Sequence, residues 1–501
     1  VCSSDLISFG QPESGLPSTN GQSGLSAQPG FNYASFLLGG VAGQVNGFIG
    51  VPSKSRLGNK AMSGFVQDTW KVTRKLSLDY GLRYDFQTYL KEQYGRIAYF
   101  SPSAVNPAAG GRLGGVAFEG DGPGHCGCPI AHNYPYAFAP RFGAAYQINS
   151  KTVFRGGIGI SYYRTAMNGL NSLSTGSQNI YRGSTFGDSA FNLRDGLPYK
   201  ITWPNTDPGQ VPLPGTIASP AQQIDQNAGR PARSLQYSLS LQREISKDLV
   251  IEASWVGNRG VWWNSTYLVC PNCNQPGELA KWGIDITKAA DRTLLGSAVT
   301  SSLAAQRGFT GLPYGGFPTT ASLAQALRPF PQFSSITNMK WVPTGKNWYD
   351  ALQIQGTKRF SHGLDFTSSF TWSRTFTMGT ESDISTLSVT TPPINDAFNR
   401  NTNKYLSGLD QPFLFVFAGN YTTPGKGNKW FSLVTKDWTL GTVLRYGAGF
   451  PILAPIATTN LNSILFRETG AVGTTGGTIF DRVPDRKSTR LNSSHITISY
   501  A

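Results

Sequence analysis

The stretch "GHCGCPIAH" (124–132) gathers His125, Cys126, Cys128 and His132, and "CPNC" sets Cys270 and Cys273 with two residues between them. Imidazole and thiolate are the ligands of zinc and related transition metals, so the first cluster has the side chains of a small metal site. The same thiols in an oxidising compartment form disulfides, which is the expected state of Cys126, Cys128, Cys270 and Cys273. Metal is the weaker reading of the four candidates, and no cofactor is expected. Four cysteines allow three connectivities. Pairing each with its near neighbour closes two small rings, and pairing across the two segments stays open.

Other chemistry is sparse. "GGIGISY" (Gly156 to Tyr162) resembles a dinucleotide loop only loosely, because it lies inside an alternating stretch, opens no helix and lacks the last glycine. No HExxH, GxSxG or GxxxxGK[ST] occurs in the chain, so it is not read as an enzyme. The net charge of +15 is one that nucleic acid could answer. The cations are scattered through turns and strands without a clustered basic face, and nucleic acid is not expected as a partner.

The elements that would carry these residues are strands. With 58 Gly, 31 Pro, 29 Phe, 21 Tyr and 11 Trp against 14% charged residues, the composition favours strands and long loops over helices. No apolar run approaches 18 residues, which excludes a membrane-spanning helix; a membrane-spanning strand needs only about 9–11 alternating residues. "LSLDYGLRYDF" (Leu76 to Phe86) alternates strictly, with Leu76, Leu78, Tyr80, Leu82, Tyr84 and Phe86 opposite Ser77, Asp79, Gly81, Arg83 and Asp85. "GFVQDTWKV" precedes it across the hairpin-length turn Thr73 to Lys75.

That hairpin recurs four times. "RFGAAYQI" and "TVFRGGIGISYY" flank Asn149 to Lys151; "LQYSLSLQREI" and "LVIEASWVG" flank Ser246 to Asp248; "YDALQIQGTKRF" and "LDFTSSFTWS" flank Ser361 to Gly363; "FLFVFAGNY" and "WTLGTVLRYGAGF" are joined by a longer linker. Long Gly/Pro/Ser/Asn-rich loops fill approximately 87–140, 164–233, 259–347 and 376–411. Short turns at one end and long loops at the other are the pattern of an antiparallel transmembrane β-barrel, here partial, with periplasmic turns and extracellular loops. Ten antiparallel strands are expected, with two to four more in Phe31–Pro52 and the loops. In such a wall Asp79, Arg83, Arg155, Glu252, Asp365 and Arg445 face the lumen, and Trp70, Trp255, Trp372 and Trp438 lie at headgroup level.

The two ends read differently. Back-translated, Asp485 to His495 matches the constant arm of a ligated short-read sequencing adapter, and Val1 to Asp5 matches its reverse complement. Residues 1–6 and 485–501 are therefore expected to be adapter-derived rather than native. Residues 7–30 read as a loop or linker, and 31–484 as a partial barrel from a fragment open at both ends.

The five segments "SGFVQDTWKVTRKLSLDYGLRYDF", "APRFGAAYQINSKTVFRGGIGISYYR", "LQYSLSLQREISKDLVIEASWVGNRG", "WYDALQIQGTKRFSHGLDFTSSFTWSRT" and "FLFVFAGNYTTPGKGNKW" resemble, in collinear order, successive barrel hairpins of TonB-dependent outer-membrane receptors of the Oar-like, acidobacterial type. The resemblance implies a Gram-negative outer-membrane location and a barrel of about 22 strands in the full protein. It also implies a plug and a TonB box, neither visible here, and uptake of an unknown extracellular ligand coupled to the TonB complex, with outer-membrane lipid around the barrel. The alternatives are a passive channel, a structural or adhesive outer-membrane barrel, and a soluble secreted β-sandwich binding carbohydrate.

Overall fold

The computed structural model describes residues 9, 14, 30–41, 56–95, 98–163, 189, 191–196, 212, 214–218, 223–265, 268–286, 288–334, 339–379, 398, 400–423 and 437–451. The two expected adapter segments lie outside them. The ten wall strands are β1 (Ala61–Lys71), β2 (Leu76–Gln87), β3 (Ala137–Asn149), β4 (Thr152–Tyr163) and β5 (Ala232–Ser246). They continue with β6 (Leu249–Asn264), β7 (Pro343–Ser361), β8 (Leu364–Met378), β9 (Phe413–Thr422) and β10 (Thr439–Gly447). Each pairs antiparallel with its sequence neighbours, β1 to β10 in order, and Tyr405–Leu406 adds a short strand on β8. All five expected hairpins are present. Among the described residues β1 and β10 do not pair with each other, so the sheet is open.

The turns are tight for local reasons. The Thr73 hydroxyl accepts from the amides of Lys75 and Leu76 at 3.1 and 3.0 Å, and the Asn149 side chain accepts from Lys151 N at 2.9 Å. Both are side-chain substitutes for a backbone turn bond. Between β7 and β8, His362 and Gly363 both have positive φ, 51° and 80°, the requirement of a two-residue turn whose twist matches the strands.

Register converts sequence alternation into two faces. One row of Cα partners runs from Trp70 through Leu78, Ala144, Gly156, Leu239, Trp255 and Leu352 to Trp372. The next runs from Tyr146 through Phe154, Leu241, Ala253, Ile354 and Phe370 to Phe415. This apolar face is uncovered: Ile158 is 50% exposed, Leu241 46% and Trp372 59%. A soluble sandwich would bury these side chains beneath a second sheet. The other described sheets have two strands each, and none of these residues joins a buried cluster. The sandwich reading is therefore overturned.

Buried cores lie instead in the long loops. Leu279, Leu294, Leu295, Val299, Phe317 and Leu323 form one, and Tyr89, Tyr99, Ile130, Ile224 and Trp341 form another. At about 1.5–3 kcal/mol for each fully buried large apolar side chain, these loops carry their own stabilisation. The first core is built by four short helices, α2 (Pro276–Lys281), α3 (Ala289–Gly296), α4 (Ser302–Gln306) and α5 (Leu323–Ala326), within what reads in sequence as structureless loop. A further helix, α1 (Asn32–Leu38), follows Phe31 where a strand was expected, and the two-residue strand Gly40–Val41 comes after it; the rest of Phe31–Pro52 lies outside the described residues. The 87–140 loop folds into a hairpin, Ala98–Asn106 with Arg112–Phe118.

Candidate functional site

The face opposite the apolar rows is polar. Asp79 pairs with Gly143, Arg83 with Ala139, Arg155 with Ser240, Glu252 with Gln242, Asp365 with Asn420 and Arg445 with Val416. Following these partners across the ladder places all six on this one face. Arg141, between Gly81 and Gly159 on the same face, belongs with them. Its position in the alternation of "RFGAAYQI" was a sufficient signal.

The charges on this face are engaged mostly by neutral polar neighbours, and in one case by an opposite charge. Arg83 bonds Asp85 at 2.9 Å, the Thr69 hydroxyl donates to Asp79 at 2.7 Å, and Arg155 donates to Gln242 at 2.9 Å. Asn420 donates to Asp365 at 3.1 Å, and the Ser254 hydroxyl donates to Glu252 at 3.2 Å. Between β2 and β6, Asp79, Arg83, Asp85 and Arg141 border a trough of about 850 Å3 also lined by Gly143, Gly157 and Gly159, among others. Arginine presents a fixed charge and a planar fork of donors, so this trough can hold an anionic or hydrogen-bonding group. At Gly159, which lines it, a Cβ would stand 3.4 Å from Arg141 Cβ.

In the loops, Cys126 is bonded to Cys128, with Cα atoms 5.1 Å apart, and Cys270 to Cys273, at 5.4 Å. The Tyr99 hydroxyl lies 3.3 and 3.0 Å from the sulfurs of Cys126 and Cys128, and burial pushes its pKa up. With both thiols bonded to each other, the metal reading of His125, Cys126, Cys128 and His132 loses its thiolate ligands. His125 Nδ1 lies 2.7 Å from the Glu119 carbonyl oxygen, and the His132 amide donates to Gln226 O at 2.7 Å. Among the described residues no three His, Cys, Asp or Glu gather as a metal site. Glu119 is buried beside Lys91 at 3.3 Å and accepts from the Tyr89 hydroxyl, whose pKa burial raises.

The tryptophans fall at the boundaries of the apolar face. Trp255 and Trp372 flank Leu352 in one row, next to the row of Asp350 and Arg374. Trp70 pairs with Leu78 close to a tight turn, and Trp438 immediately precedes β10, 61% exposed.

No protein of curated function matches this chain. Among solved structures it is similar to the alcaligin outer-membrane receptor FauA of Bordetella pertussis (11% identity, TM-score 0.31, 78% of this chain and 38% of that one). It is similar too to the FrpB iron transporter of Neisseria meningitidis (10%, 0.33, 81% and 36%) and to the ferric-catecholate import receptor Fiu of E. coli K12 (10%, 0.34, 79% and 35%). The chain thus spans under two fifths of the length of each. The family description "Outer membrane beta barrel domain" matches residues 5–490. With its meander of antiparallel strands and its uncovered apolar face, the chain belongs to this outer membrane beta-barrel family and to the Gram-negative outer membrane.

Proposed function

We propose that the chain is part of the wall of a TonB-dependent receptor of the Oar-like type, which takes up an extracellular ligand through the barrel. The observation that carries this reading is the division of the molecule between its two ends. Tight turns close one end, while the long loops at the other fold into buried cores of their own, one of them packed against Cys128 of the Cys126–Cys128 disulfide. Long loops with their own packed cores are expected where a surface must recognise something rather than merely connect strands.

In this reading the loops capture the ligand, and Arg83, Arg141, Arg155, Glu252, Asp365 and Arg445 line the passage. The TonB complex supplies the work through a plug in the intact protein. No bond is made or broken, so the side chains act by binding and by charge. The five collinear hairpin segments support the receptor type. The test is the genomic sequence around the codons for residues 7–484. A plug domain and TonB box in the same reading frame are expected upstream; barrel strands running to the signal peptide without them would replace the receptor with a passive or adhesive barrel.

A further inference from the structure

The two disulfides stand in different settings. Cys273 is 5% exposed and lies between Asn272 and Asn274, both buried, so the Cys270–Cys273 bond is enclosed. Cys126 is exposed, while Cys128, joined to it, packs against the core that holds Tyr89, Tyr99 and Ile130. With the two sulfurs bonded neither carries a proton, so the Tyr99 hydroxyl, 3.3 Å from Cys126 Sγ and 3.0 Å from Cys128 Sγ, is the donor. Burial, and then the Glu119 carboxylate, push its pKa up, so the phenol keeps its proton. Glu119 is itself engaged, by Lys91 at 3.3 Å and by the Tyr89 hydroxyl.

The backbone holds the two cysteines without help from the S–S bond. Cys126 N donates to Phe118 O at 2.9 Å, Gly120 N to Cys128 O at 3.1 Å, and Gly127 N to Gly120 O at 2.9 Å. Gly127, the single residue between the cysteines, takes the left-handed φ of 63°. Opening the bond therefore leaves both sulfurs beside the same hydroxyl, in place to close again. A disulfide with one sulfur open to solvent exchanges readily, and a donor beside the leaving sulfur stabilises the thiolate that forms; an enclosed disulfide resists attack.

We propose that Cys126–Cys128 is a thiol–disulfide exchange site for small-molecule thiols, with Cys126 the sulfur attacked and Cys128 the sulfur that leaves. A thiolate from solvent bonds to Cys126 Sγ; the Cys126–Cys128 bond breaks and its electron pair departs on Cys128 Sγ. The Tyr99 hydroxyl donates to that developing thiolate, and water supplies the proton that it finally takes. A second thiolate attacks the small-molecule sulfur of the mixed disulfide and releases Cys126 as a thiolate. Two small thiols are thereby oxidised to their disulfide, and the protein disulfide is reduced to two thiols; the reverse sequence restores it. The site needs only that this loop meets solvent, and it is independent of whether uptake is coupled to TonB.

The test exposes the folded full chain, in detergent micelles without denaturant, to millimolar reduced glutathione. Samples are quenched with iodoacetamide at intervals, and peptide mapping by mass reads the alkylation of each pair. Cys126 and Cys128 are expected to be reduced at least about tenfold faster than Cys270 and Cys273. The glutathione adduct should map to Cys126. Tyr99→Phe should slow the first pair about tenfold, as expected for losing a hydrogen bond to a charged group, and leave the rate of the second pair unchanged, which reports that the loops remain folded. The comparison of the two pairs in the parent chain needs no variant. Equal rates at the two pairs, an adduct on Cys128, or a Tyr99→Phe rate equal to the parent's would each overturn the proposal.

Discussion

Lys358 and Asp350 lie eight residues apart on one face of β7, and each closes an ion pair to β6 or its turn: Lys358 to Asp248 at 2.7 Å, and Asp350 to Arg259 at 2.7 Å. Between them on that face stand only Gly356, Ile354 and Leu352. At about 3.3 Å per residue the two pairs are roughly 26 Å apart along the strand, or about 20 Å along the barrel axis at a tilt of about 40°. That is close to the height of the apolar band that a membrane barrel presents to lipid, about 25 Å. The charges mark where hydrocarbon ends.

Ile354 is midway between these pairs. Ile354→Arg should cost about 2–4 kcal/mol in folding stability measured in bilayers, as expected for a cation held near the membrane midplane. Gln353→Arg, one residue away on the polar face, should change stability far less. Equal costs at the two positions would contradict the assignment of faces.

The Tyr237 ring lies over Gly257, and its hydroxyl donates to Asp350 at 2.9 Å. A Cβ at position 257 would overlap that ring, so Gly257→Ala displaces Tyr237 and loosens the Arg259–Asp350 pair. A cost of about 1–3 kcal/mol is expected, most of it absent when Tyr237 is already Ala. Additive costs in the double variant would show that the ring does not rest there.

Asp248 accepts from Lys358, and from Ser246 at 2.6 Å and Ser361, which together hold its carboxyl well below the usual range. A depressed folded-state pKa adds stability that is fully present above the unfolded value, about 3.9, and is lost as the pH falls below it. Asp248→Asn should therefore unfold more readily than the parent at pH 7, with the gap closing below about pH 4. A gap unchanged from pH 7 to pH 3 would refute the role of the ionised carboxylate.

Non-reducing peptide mapping should recover Cys126 joined to Cys128 and Cys270 joined to Cys273, each within one peptide. A peptide linking Cys126 or Cys128 to Cys270 or Cys273 would replace the local connectivity with a bridge between loops. Removing either local ring should cost only about 1–2 kcal/mol, because so short a loop confines the unfolded chain little.

The hairpins were legible because a period of two sustained over eight or more residues, closed by a three-residue turn, has few other solutions. β7 shows the limit: it extends back to Pro343, through Pro-Thr-Gly, where alternation gives no signal. The helices of the 259–347 loop, of four to eight residues each, are too short for a 3.6-residue period to register, and tertiary packing forms them. In "NYASFLL" aromatic and branched residues suggest a strand; the chain turns helical and ends on Gly39 in the left-handed region at φ 69°. Arg141 could be read from its alternation, whereas the bulge that turns out Trp262 depends on a register shift against β7 that no local pattern contains.

The most direct test of the lipid-facing wall is depth-dependent quenching in a reconstituted bilayer. An environment-sensitive probe is placed singly at Ile354 or at Gln353, and the lipids carry bromine at mid-chain. The account predicts strong quenching at 354 and little at 353, with aqueous iodide showing the opposite preference. Equal quenching at both positions, or quenching at 353 alone, would contradict it.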